Sequence, residues 1–102
     1  MSVDTKSICM FGKEFDDFEQ ALTHLKDSGI ITEDDFETSL EYGDVRADIN
    51  VEYQTRSCYS EEGGVLGVKL SNHNFQEMTS IMEVVQEEVG EDCMLHNFVY
   101  WY

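Results

Sequence analysis

The residue types here with the most versatile chemistry are three cysteines and three histidines. Cys9, Cys58 and Cys93 are widely spaced, as are His24, His73 and His96, and Cys93 with His96 is the one close Cys–His pair. Structural zinc sites bring their ligands in close pairs, such as two Cys separated by two residues. Residues 93–102 read as a strand, where positions three apart point to opposite faces. The pair therefore does not converge on a metal ion, and the acidic runs lack the alternating Asp/Asn and central Gly of a calcium loop. A nucleophilic Cys needs a positioned base and surroundings that favour the thiolate. A chain this acidic opposes the thiolate. Gly63, Gly64 and Gly67 form a GGxxG run, but no Lys-Ser or Lys-Thr follows at P-loop spacing, and the run reads as a hairpin turn. These patterns predict no metal, no cofactor and no catalysis.

The carboxylates are the informative set. The chain carries 22 Asp and Glu against 6 Lys and Arg, for a formal net charge of -16. Between Glu14 and Glu62 only Lys26, Arg46 and Arg56 offset the acids. A second cluster, Glu83, Glu87, Glu88, Glu91 and Asp92, has no basic neighbour. Helical Glu residues are commonly paired with Lys four positions on, and these are not. The densest run, Thr32 to Asp44, gives with Asp16 and Asp17 the candidate site: Asp16, Asp17, Glu33, Asp34, Asp35, Glu37, Glu41 and Asp44. The plainest reading of such a run is a solvated surface that keeps the protein soluble. The functional reading is that it is presented to a basic partner.

Charge of this sign repels nucleic acid and anionic membranes. Basic protein surfaces attract it, with steered association. Duplex DNA carries one charge per ~1.7 Å of its axis. A rigid domain with carboxylates at phosphate-like intervals can therefore occupy a Lys/Arg-lined nucleic-acid channel, without the cost of ordering on binding. In size, acidity and lack of motif the chain resembles the small phage inhibitors of host defence, the DNA-mimic antirestriction and anti-CRISPR proteins. The resemblance rests on no shared motif and assigns no residue. It implies a stoichiometric inhibitor of a nuclease or CRISPR effector subunit in the host cytoplasm. Rival readings are an antitoxin or immunity protein against a basic toxin, an ordinary domain of a halophile, and a small enzyme or ligand-binding domain.

The elements that must position these residues are legible in part. A chain of 102 residues is expected to form one domain, residues 1–102. Ser7 to Phe11 reads as a strand. Asp16 or Asp17 caps a helix with Phe15, Phe18, Ala21, Leu22 and Leu25 at helical spacing, ended near Gly29. Thr32 and Asp35 resemble a capping box, yet Phe36, Thr38, Leu40 and Tyr42 also alternate, so Thr32 to Asp44 is helix or strand. Val45 to Tyr53 alternates cleanly and predicts a half-buried strand, with a turn at Ser60 to Gly64 and a return strand at Val65 to Leu70. Asn74, with Glu77, caps a helix carrying Phe75, Met78, Ile81, Met82, Val85 and Val89 as one apolar stripe. Cys93 to Tyr102 reads as a final strand. The expected fold is α+β, a mostly antiparallel sheet of about four strands with two helices on one face, in a βαββαβ-like order. Phe98, Tyr100, Trp101 and Tyr102 end the chain as a strand with one aromatic face inward, or as an aromatic anchor. An edge strand there also invites pairing with a second copy. With no signal-like start and no apolar run of the ~20 residues a membrane helix needs, the expected location is the cytoplasm, where unpaired cysteines stay reduced.

Overall fold

The computed structural model describes residues 5–57, 60–71 and 76–101, with side chains at 7–55, 63–71 and 76–97. The chain runs β1 (Thr5–Phe15), α1 (Phe18–Asp27), α2 (Glu33–Tyr42), β2 (Glu52–Ser57), β3 (Ser60–Lys69), α3 (Met78–Val89) and β4 (Met94–Trp101). The strands form one sheet in the order β2-β3-β1-β4, and every neighbouring pair is antiparallel. The fold is α+β with a four-stranded antiparallel sheet, as the sequence predicts, but three described helices rather than two make the order β-α-α-β-β-α-β, because Glu33–Tyr42 adds a helix.

Local signals explain the first two helices. Asp17 is the N-cap of α1, and its Oδ1 accepts the Gln20 amide at 2.8 Å. Phe15, expected in this helix, is instead the last residue of β1. The helix ends in a Schellman-type closure: the Gly29 and Ile30 amides donate back to Lys26 and Leu25, and Gly29 takes a φ of 77° that glycine adopts without strain. The undecided segment is a helix. Thr32 and Asp35 bond reciprocally at 3.1 and 3.2 Å, and Gly43 ends the helix in the left-handed region. Local capping outweighs the alternation at Phe36 to Tyr42.

Apolar spacing then decides what is buried. Ala21, Leu22 and Leu25 of α1 and Val85 and Val89 of α3 join Phe11 of β1 and Leu66 of β3 in the main core. Met78, Ile81 and Met82 pack at its margin. Each such Leu or Val side chain contributes roughly 1.5–3 kcal/mol relative to exposure. A second buried cluster, Ile8, Met10 and Val65, lies on the opposite face of the sheet by strand alternation. Gly12 and Gly67 face each other across β1 and β3, and a Cβ on either would overlap the other strand's backbone.

Two expectations fail here, and a third falls partly outside the described residues. Val45 to Tyr53 is not a strand: only Glu52 and Tyr53 enter β2, and residues 45–50 are irregular. The alternation is nevertheless real, because Val45, Ala47, Ile49, Val51 and Tyr53 all pack on the core. What ends the ladder is Glu88 of α3. Its carboxylate accepts the Asn50 and Val51 amides and the Asn50 side-chain amide at 3.0–3.1 Å, taking at Asn50 an amide that further pairing with β3 would draw on. Ser60 to Gly64 is not a turn but the first half of β3, and the β2–β3 link at 58–59 lies outside the described residues. Helix α3 has Glu77 at its N-cap position, without a side-chain capping bond. The expected cap Asn74 and stripe residue Phe75 also lie outside the described residues.

Candidate acidic docking face

The candidate carboxylates separate into two groups. Three have local partners. Asp17 caps α1, Asp35 completes the capping box of α2, and Asp44 pairs with Arg46 at 2.6 Å. The other five, Asp16, Glu33, Asp34, Glu37 and Glu41, are exposed. Among the described residues they enter no ion pair.

Helix α2 carries Glu33, Asp34, Asp35, Glu37 and Glu41 and no basic residue. Its first-turn acids have a local benefit, since carboxylates at a helix N-terminus favour the macrodipole. Glu37 and Glu41 lie beyond the first turn and have no such role. Among the described residues the nearby cations make no ion pair with the exposed carboxylates of α2. Lys26 lies over the Phe36 ring at 4.3 Å, and Arg46 lies over the Tyr42 ring at 4.8 Å while holding Asp44. From Glu33 to Glu41 the helix rises about 12 Å, and Glu33, Glu37 and Glu41, four residues apart, share one face at axial intervals of about 6 Å.

Tertiary structure brings Asp17 to the far end of this row. A 470 Å³ cleft is lined by Asp17, Phe18 and Glu19 of α1, Leu40 of α2, Gly43, and Tyr53 and Thr55 of β2. The Phe18 and Tyr53 rings pack at a tilt of 49° with centroids 5.2 Å apart. The Tyr53 hydroxyl is buried without a hydrogen-bond partner. Burial, then the fields of Asp17, Asp16 and Glu14, push its pKa up to about 12.

Sequence reasoning grouped Glu88 with the second acidic cluster, where Glu83, Glu87, Glu91 and Asp92 are exposed. The structure turns Glu88 inward as the clasp of the 44–51 loop. The signal was present: 81, 85 and 88 follow i, i+4, i+7 spacing, which places Glu88 beside the apolar stripe. Ser39 was also missed. It is fully buried, and its Oγ accepts the Arg46 amide at 2.8 Å, tying α2 to the same loop.

The remaining chemical candidates are placed apart. Cys93 Sγ donates to the Gly90 carbonyl at 3.1 Å, and burial raises its pKa, with Asp92 adding to the rise and Lys13 opposing it. His96 contacts the Gly12 carbonyl at 3.2 Å. Among the described residues no three His, Cys, Asp or Glu side chains converge as a metal site requires, while Cys58 and His73 lie outside them. Among the same residues no helix is long and apolar enough to cross a membrane. Compared with known proteins, the chain matches no family model, no curated protein and no solved structure.

Proposed function

We propose that this chain is a non-enzymatic, stoichiometric inhibitor. It docks the acidic face of α2, with Asp16 and Asp17, on the Lys/Arg-lined nucleic-acid channel of a basic partner protein. The observation that carries the reading is the uncompensated row on α2: five carboxylates, no basic residue, and both nearby cations drawn onto aromatic rings. The partner class is a nuclease or CRISPR effector subunit, and the working compartment is the cytoplasm. Binding is by surface charge, so each exposed pair contributes only ~0–1 kcal/mol. Affinity comes from many pairs on a pre-organised surface.

The test is capture of the partner from a host lysate, followed by affinity across a salt series. Wild-type binding should weaken about tenfold or more between low and physiological salt. A variant combining Glu33→Gln, Asp34→Asn, Glu37→Gln and Glu41→Gln keeps the Asp35 cap and should bind far more weakly at low salt. If that variant binds as tightly as the parent, the α2 face is only a solvated surface. A captured toxin with no nucleic-acid channel would instead favour the immunity reading. A chain that folds only in high salt would favour the halophile reading.

A further inference from the structure

We infer, resting on the docking reading above, that the cleft between the start of α1, the end of α2 and β2 takes an arginine side chain of the basic partner. Three features of the cleft are negative. Asp17 and Glu19 line it, both are exposed, and among the described residues neither enters an ion pair. Asp17 spends Oδ1 on the Gln20 amide, which leaves Oδ2. Leu40 and Gly43 bring the C-terminal end of α2 to the same place. A helix C-terminus carries partial negative charge, and the last turn of α2 holds no basic residue to offset it. No cationic side chain is among the described residues that line the cleft.

The cleft also has an aromatic wall. The Phe18 and Tyr53 rings meet there, tilted by 49°. Gly64 of β3 seats Tyr53: a Cβ on Gly64 would lie 2.5 Å from the Tyr53 Cζ. The Tyr53 hydroxyl is closed off, so Tyr53 offers the cleft its ring. Aromatic faces attract cations, and Leu40, 39% exposed, adds apolar surface for an aliphatic stem. The chain makes the same grip for itself on either side of Gly43. There the Arg46 guanidinium lies 4.8 Å from the Tyr42 ring centroid while its Nε pairs with Asp44 at 2.6 Å. The cleft repeats both ingredients, ring and carboxylate, and lacks the cation.

The occupant follows from that chemistry. Anionic ligands are repelled by Asp17 and Glu19. A guanidinium is planar, weakly hydrated, stacks on rings and forks onto carboxylates, whereas an ammonium is a strongly hydrated point charge. A volume of 470 Å³ lies toward the lower end of ligand pockets, which span about 300–1,000 Å³, and suits one long side chain.

The probe is N-acetyl-arginine methylamide, titrated into the purified full chain and followed by the amide resonances of Phe18, Glu19, Gly43 and Thr55. A lone side chain should bind weakly, with a Kd of about 1–10 mM. The matching lysine and citrulline amides should each bind at least about tenfold more weakly, lacking the fork or the charge. These comparisons use the wild type and need no variant to fold. Asp17→Asn with Glu19→Gln, in which Asn keeps the N-cap, should weaken the arginine probe about tenfold or more. Phe18→Leu should also weaken it, and Tyr53→Phe, which keeps the ring, should not. The variant neutralised on α2 should bind the probe within about threefold of wild type, since exposed charges there are screened. No saturable shift at these resonances, lysine or citrulline binding as tightly as arginine, or indifference to the Asp17–Glu19 pair of substitutions would overturn the proposal. If the probe fails while the captured partner still depends on α2, only the cleft assignment falls. If the probe binds while the partner ignores the α2 substitutions, the α2 row falls and the cleft stands.

Discussion

Helix α2 and strand β4 are similar in length, ten and eight residues, and opposite in almost every other respect. α2 carries five carboxylates, no cation, and a cap at each end supplied by its own neighbours in sequence. β4 carries no Asp, Glu, Lys or Arg and owes its place to pairing with β1, the first strand of the chain. A helix satisfies its backbone internally, so its outer face is free to hold charge. An edge strand leaves half its backbone groups unpaired and must be guarded or used. The chain thus concentrates its negative charge on an element that needs no partner for its backbone. It spares from charge an end strand of the described sheet.

The contrast breaks most completely at Gly12, where β1 meets β3 and β4. Gly12→Val would drive a side chain into the backbone of Leu66 and Gly67. The expected loss is more than about 3 kcal/mol in urea unfolding, or failure to fold. A loss below about 1 kcal/mol would mean that the close approach of the two strands is easily relieved.

A smaller effect separates acids that hold the fold from acids that only face water. Glu88→Ala strands the Asn50 and Val51 amides and should cost about 1–3 kcal/mol. Glu37→Ala, exposed on α2, should change stability by no more than about 0.5 kcal/mol. Equal effects for the two would show that Glu88 belongs with the solvated set after all.

The smallest effect measures the field on the acidic side. One of the five tyrosines should titrate near pH 12 in ultraviolet difference spectra, and Tyr53→Phe should abolish that step. Its folded-state pKa lies above the ordinary value of 10. The stability it contributes is therefore whole below pH 10 and falls between about 10 and about 12, as the unfolded chain releases its proton first. Neutralising Asp16 and Asp17 should bring the step down only part of the way, because burial is the larger cause. The Phe variant should fold within about 1 kcal/mol of wild type, since the lost hydroxyl is buried without a partner.

Signals confined to a few consecutive residues were the most legible, although they left Thr32 to Asp44 between helix and strand and the Asn74 cap lies outside the described residues. The Asp17 cap, the Thr32–Asp35 box, the glycine closures at Gly29 and Gly43 and the stripe on α3 each depend on neighbours within one or two helical turns. Capping bonds and amphipathic spacing act over that range. The alternation at Val45 to Tyr53 misled because period two reports a segment with one side on a core and one in water. It does not report whether a strand lies alongside. Likewise, the two cap positions aside, the candidate carboxylates were equivalent in sequence. Only the folded chain divides them into caps, an ion pair and an exposed row.

By itself the sequence determined the net charge, the α+β pattern of apolar periodicity and the helix ends, because composition and short-range geometry act without reference to the rest of the chain. Tertiary structure decided which acids are spent inside the fold and which strands lie side by side. The Glu88 clasp joins residues 37 and 38 positions apart, and the β1–β4 pairing joins the first described strand to the last. Such contacts form only when the whole core closes. Local propensity carries no information about that event.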